Sequence, residues 1–106
     1  MSDAVIAMTT TNSDKEAHAL AESMVKEKLA ACVQIIPRIE SIYFWEGEVH
    51  DDQEYLLLIK TREPCVRKLK ALIEKEHSYE VPEFLVLPTS DGLDLYLKWM
   101  KDVTKG

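Results

Sequence analysis

The stretch AACVQIIPRIESIYFWEGEV, residues 30–49, decides the fold. Its β-branched and aromatic residues (Val33, Ile35, Ile36, Ile39, Ile42, Tyr43, Phe44, Trp45) favour a half-buried pleated surface over a helix. Pro37 has no N–H to give to a central ladder, so it marks an edge or a bulge. The phase supports the bulge: beyond Pro37, Ile42 and Phe44 share one face and Tyr43 and Trp45 the other, out of step with Val33 and Ile35. Glu46-Gly47 then turns the chain, and EVHDDQEYLLLIKT, residues 48–61, returns as the partner strand. The tip of this hairpin is polar and acidic (Glu46, Glu48, Asp51, Asp52), whereas its base, Tyr55 to Ile59, is apolar on both faces, as in the middle of a sheet. A hairpin longer than so small a domain needs for its own core does not stand free in water. The surplus is read as a surface for other subunits.

The 106 residues make one domain, 1–106, with room for a core and none for a second domain. Apolar content of 46% and charged content of 30% are those of a globular protein, and the apolar runs are too short to span a bilayer, so no membrane partner is expected. The opening MSDAVIAMTTTNSD has no basic region ahead of its apolar run and no cleavage pattern, which points to the cytoplasm. Cys32 and Cys65 have no CxxC spacing, so neither a disulfide framework nor a zinc site is expected, and reduced thiols fit the same compartment. A net charge of −6 with no basic stripe argues against nucleic acid and towards a cation. The plainer reading of most of these carboxylates is solubility.

On either side of the hairpin the periodicities alternate. Ala4 to Thr10 is a short apolar strand; Ser13 and Glu16 have capping-box spacing, and Ala17, Leu20, Ala21, Met24, Val25 and Leu29 make one helical face. After the hairpin, Pro64 suits a first helical position with Glu63 as its cap, and Val66, Leu69, Leu72, Ile73 and His77 supply a buried face. Val81 to Pro88 reads as a fourth strand bracketed by prolines. Asp91-Gly92 opens a last helix with Leu93, Tyr96, Leu97, Met100 and Val103 on one face, running to the end of the chain. The order is that of two split βαβ units plus an extra helix: an α+β, ferredoxin-like βαββαβ sandwich with two helices on one face of a four-stranded antiparallel sheet.

In order and spacing, KLAACVQIIPRIESIYFWEGEV, EYLLLIKT, HSYEVPEFLVLP and DGLDLYLKWM resemble the CutA family of divalent-cation tolerance proteins over nearly the whole chain. The most specific pieces are AACV, Pro37, the series Ser41, Tyr43, Trp45, Glu46, Gly47, the pair Lys60-Thr61, and Tyr79 to Glu83. The resemblance implies a ferredoxin-like subunit in a tight homotrimer akin to PII-type signal proteins, with copper binding and no established catalysis. Family copper binding is attributed to a cysteine near the end of the first strand and two adjacent histidines after the second helix. The matching residues here are Met8, Glu76 and His77, which lack a thiolate and one imidazole. Thioether, carboxylate and imidazole still constitute copper donors, of lower affinity. The alternative makes His77 an ordinary helix-end residue, Met8 core and Glu76 solvated surface.

A second set, Tyr43, Trp45, Glu54, Lys60, Tyr79 and Glu83, also matches family positions and lies on strands or strand ends. In a trimer such residues can line inter-subunit clefts and hold a small molecule or an anion; the alternative is an interface ion pair with aromatic packing. Cys32 and Cys65 are read as packing residues. Enzyme motifs are missing: no GxGxxG, P-loop, HExxH or triad pattern, and the first loop, TTTNSD, has neither the arginine of a phosphate cradle nor a CxxC. No organic cofactor is expected. Two functions follow: a non-catalytic trimer of metal homeostasis that binds copper or another divalent ion weakly, and a PII-like trimeric small-molecule sensor with its ligand in the cleft.

Overall fold

The computed structural model describes residues 2–106. The strands are β1 (Ala4–Thr11), β2 (Cys32–Trp45), β3 (Glu48–Arg62) and β4 (Leu85–Pro88); the helices are α1 (Asp14–Lys26), α2 (Val66–Glu76) and α3 (Asp94–Val103). They form one antiparallel sheet in the order β2-β3-β1-β4, the ferredoxin-like arrangement expected from the sequence.

Alternation along the strands divides the sheet into two unlike faces. Ala7, Val33, Ile35, Tyr55, Leu57, Ile59 and Val86 point to one side and pack with Leu20, Met24, Leu69, Leu72 and Ile73 of α1 and α2. The intervening residues, Ile6 and Met8 of β1, Ile36 of β2, Leu56 and Leu58 of β3, Leu85 and Leu87 of β4, point to the other side. One end of that second face is covered by α3, whose Met100, Leu97 and Val103 pack on Ala4 and Ala31. Arg62 ties the same end together, donating to Thr104 Oγ1 at 2.8 Å and to Asp3 Oδ2 at 3.2 Å.

The β2–β3 hairpin runs past the rest of the sheet and stretches the molecule to 45 Å by 25 Å by 22 Å. β1 stops opposite Tyr55, so from Glu54 outward β3 pairs only with β2. The bulge falls where Pro37 demands it: the register slips between Ile36 and Ile39, and Arg38 takes a left-handed φ of 58°. At the tip Glu46 (φ 50°) and Gly47 (φ 81°) are both left-handed, the conformation that matches the twist of a two-residue hairpin turn.

Several local expectations are revised. Ser13 caps α1, its Oγ accepting from Glu16 N at 3.1 Å, but Glu16 does not reach back to Ser13; it is drawn away to Thr11 and Ser78. Val25 lies at the margin of its helix face and is exposed. Pro64 sits in a 3-10 turn, Glu63–Cys65, that precedes α2, and Glu63 provides no side-chain cap. The fourth strand begins at Leu85 and not Val81; the chain ahead of it is held by other partners, Ser78 on Glu16 and Tyr79 on Glu54 of β3. The last helix ends at Val103, where Thr104 turns its hydroxyl onto Met100 O.

Candidate functional site

The point where β1 ends and the hairpin continues is a cleft of about 590 Å³. Its floor is made by the sheet. After the bulge, Ile39 pairs with Glu54, Ser41 with Asp52 and Tyr43 with His50, so Ser41, Tyr43 and Trp45 stand on the same face as Glu54. Without the slip at Pro37-Arg38 the alternation would have pointed Tyr43 and Trp45 to the opposite side. The wall is the segment after α2, which contributes Tyr79, Glu80, Val81 and Glu83, while Thr10 closes the β1 end.

A network of hydrogen bonds holds this wall. The His77 side chain is fully buried; its Nε2–H donates to Thr10 O at 2.7 Å and its Nδ1 accepts from Tyr79 N at 3.1 Å, which fixes the neutral tautomer. Glu16 accepts from Ser78 N at 2.7 Å, from Ser78 Oγ at 2.9 Å and from the Thr11 hydroxyl. Burial pushes the Glu16 carboxyl up, but the Thr11 and Ser78 donors outweigh it and hold the group below its ordinary value. The first turn of α1 thereby anchors the residues that precede Tyr79.

Tyr79 in turn donates its hydroxyl to Glu54 Oε2 at 2.6 Å, and its phenol pKa is raised first by burial and then by that bond. Glu54 is only 7% exposed, lies in no ion pair among the described residues, and its second oxygen has no hydrogen-bond partner among them. Glu83 faces the same space; desolvation, followed by the charge of Glu54, raises its carboxyl above the ordinary value. Two rings are backed by histidines: Tyr43 by His50 at 5.3 Å between centroids, nearly parallel, and Tyr79 by His77 at 4.7 Å, tilted. Asp52 accepts from the Tyr43 hydroxyl and raises its pKa.

Of the residues singled out in the sequence, Tyr43, Trp45, Glu54, Tyr79 and Glu83 line this one cleft. Lys60 does not; it lies farther along β3 opposite Ile6 and Cys32, with Nζ on Gln34 Oε1 at 2.7 Å. Among the described residues the cleft consequently contains no cationic side chain. Thr10 was not singled out as a site residue, and Ser41 and Glu80 were quoted only within the family series and the Tyr79 to Glu83 run. The copper set is dispersed: Met8 points into the face shared with Leu58 and Leu85, Glu76 approaches Ser23 Oγ at 3.3 Å, and His77 has both ring nitrogens engaged. No group of three or more His, Cys, Asp or Glu side chains among the described residues is placed to hold a metal ion.

The same chain layout recurs in known proteins. A curated relative, the chloroplastic protein CutA of Arabidopsis thaliana, is 45% identical over 101 residues, 95% of this chain and 56% of its own length. The chain thus spans little more than half of that plant protein. The divalent-cation tolerance protein CutA of Thermus thermophilus is 43% identical over 93% of this chain and 96% of its own. The crystal structure of CutA1 from Oryza sativa superimposes with a TM-score of 0.95 at 42% identity, over 98% of this chain and 95% of that one. Residues 5–103 match the family model described as the CutA1 divalent ion tolerance protein, and the chain belongs to that family.

Proposed function

We propose that the chain acts without catalysis in the response to divalent metal ions, as a homotrimer that receives a cation in the cleft between Glu54, Tyr79 and Glu83. Glu54 carries the reading: a mostly buried carboxylate with one oxygen on Tyr79 and the other left for a ligand faces Glu83 and, among the described residues, no positive side chain, an arrangement that suits a cation. For a metal ion the donors are the Glu54 and Glu83 carboxylates, with the Ser41 and Thr10 hydroxyls nearby. Such oxygens suit a divalent ion that keeps part of its water shell, and they bind copper weakly. The set His77, Met8 and Glu76 is the alternative copper position; using it requires His77 to surrender one of its two hydrogen bonds.

Support for the trimer lies in the surfaces left open. The face bearing Ile36, Leu85 and Leu87 and the arm bearing Ile42, Phe44 and Val49 expose more apolar side chain than a lone domain commonly does. The unpaired edges of β2 and β4 add to it. Among the described residues no helix is long and apolar enough to cross a membrane; the free thiols of Cys32 and Cys65 suit the cytoplasm. Light scattering should give one species of three times the 12.2 kDa subunit; a monomer at micromolar concentration overturns the assembly.

The metal reading is tested by competition with a chelator of known affinity, using Cu(II), Zn(II) and Mn(II), and Cu(I) without oxygen. Binding is expected to be lost in the double variant Glu54→Gln, Glu83→Gln and kept in His77→Ala. Equal affinity of wild type and double variant removes the metal from the cleft; loss in His77→Ala moves it to the alternative position.

A further inference from the structure

Carboxylates explain why a cation enters the cleft, but a hard metal ion has no use for the rings around it. Tyr43, Trp45 and Tyr79 line the same space as Glu54, Glu80 and Glu83, and no lysine, arginine or histidine does. The cavity, at about 590 Å³, is of the size that encloses small organic molecules and far exceeds a hydrated ion's need. Metal donors in the cleft are few, with no cluster of three among the described residues. Two of the rings touch histidines, Tyr43 stacked on its cross-strand partner His50 and Tyr79 tilted against His77. The free oxygen of the buried Glu54 supplies the charge that remains unmatched.

We propose that the ligand of this cleft is an organic ammonium ion, its alkylated nitrogen held against the faces of Tyr43, Trp45 and Tyr79 and paired with Glu54 and Glu83. Aromatic faces attract such a cation through their quadrupoles, most strongly where water is excluded, and tryptophan does so best. Within one subunit an anion would meet three carboxylates and, among the described residues, no counter-charge. A neutral molecule would leave Glu54 unmatched. The inference rests on the cleft being the ligand site, as proposed above, and names the chemistry that fills it.

The probe is choline chloride, compared with 3,3-dimethyl-1-butanol, which has the same shape without the charge. The chain has two tryptophans, so a Trp99→Phe background leaves Trp45 as the fluorescent reporter inside the cleft. Choline should shift the Trp45 emission saturably and the alcohol should not. Trp45→Leu, read by calorimetry, should weaken choline at least about fivefold, with Trp45→Phe restoring most of the affinity, since a cation on an aromatic face contributes that much or more. Glu54→Gln should weaken it at least about tenfold; if that variant loses its fold by circular dichroism, Glu83→Gln carries the same test. Equal binding of the alcohol overturns the proposal, as does choline binding indifferent to Trp45→Leu and to the carboxylate variants. Glu54-dependent metal binding with no choline binding overturns this inference alone. Choline binding with no metal binding overturns the metal reading alone, and failure of both removes the cleft as a ligand site.

Discussion

The two halves of β3 are one continuous strand with opposite physical lives. From Tyr55 to Arg62 it lies between β1 and β2 beneath the helices, and Leu57, Ile59 and Thr61 are fully buried. From Glu48 to Gln53 it pairs with β2 alone, and Val49 is 71% exposed. The inner half is stabilised by packing, the outer half by ladder bonds, its turn and whatever surface comes to cover it. The cleft sits at the junction, so its inner end borders the packed core while its far rim belongs to the arm. A binding site at such a boundary combines a mostly buried carboxylate, Glu54, with two rings, Tyr43 and Trp45, carried by the arm.

The largest expected effect comes from the inner half. Leu57→Ala should cost about 2–5 kcal/mol in urea unfolding, through lost burial and a residual cavity, whereas Val49→Ser should change stability by less than about 0.5 kcal/mol if the arm is as open as it stands. A cost for Val49→Ser near that of Leu57→Ala is the outcome of the homotrimer proposed above, in which another subunit covers the arm and the contrast holds only within one subunit. At the junction, Tyr79→Phe removes the donor to Glu54 and should cost about 1–3 kcal/mol by leaving a buried oxygen unpartnered. A neutral result there would mean that water replaces the phenol. At the tip, Gly47→Ala meets no atom within 4 Å but must hold a left-handed φ, so it should cost about 1 kcal/mol and speed hydrogen exchange in the arm only. Faster exchange at Leu57 or Ile59 would show the two halves to be one cooperative unit.

The smallest effects concern pH. Glu16 is held below its ordinary 4.5, so the unfolded chain binds its proton more readily. Its stabilisation is full above that value and is lost as pH falls through the lower folded value; Glu16→Gln should flatten the acid limb of stability against pH. Glu83 is shifted the other way, so the folded chain holds its proton more readily and stability declines as pH rises from the unfolded to the raised folded value. Glu83→Gln should therefore stabilise the protein at neutral pH and lose that advantage in acid. Parallel curves for wild type and both variants would break the assignment.

Much of this was legible in the chain because the signals were local. Pro37 forecast the bulge, Glu46-Gly47 the turn, and the 3.6-residue spacing of Leu69, Leu72 and Ile73 the buried face of α2. What the chain did not disclose depended on partners distant in sequence. Glu16 satisfied the spacing of a capping box, yet Ser78, reached only through the tertiary fold, competes for its carboxylate. His77 read either as a copper ligand or as an ordinary helix-end residue, and the chain did not disclose that Thr10 O and Tyr79 N would engage its two nitrogens. Lys60, by contrast, could have been set aside from the sequence, since it follows Glu54 on the same strand at a distance of roughly 20 Å along it. Glu80 had no periodic signal of its own, since it belongs to a segment whose path is set by contacts and not by propensity.

The slip between Ile36 and Ile39 makes the arm sensitive to parity rather than to length. Adding one residue to each strand of the hairpin inverts every side chain beyond the insertion, sending Tyr43 and Trp45 away from Glu54 and turning Ile42 and Phe44 inward, whereas adding two to each restores the pattern on a longer arm. Lengthening is therefore neutral for the cleft only in even steps, and loss of the single extra residue at Pro37-Arg38 would dismantle the aromatic wall while leaving the composition of the arm almost unchanged. Engineered arms, or relatives with hairpins of other lengths, should obey this counting rule before any comparison of their individual residues is meaningful.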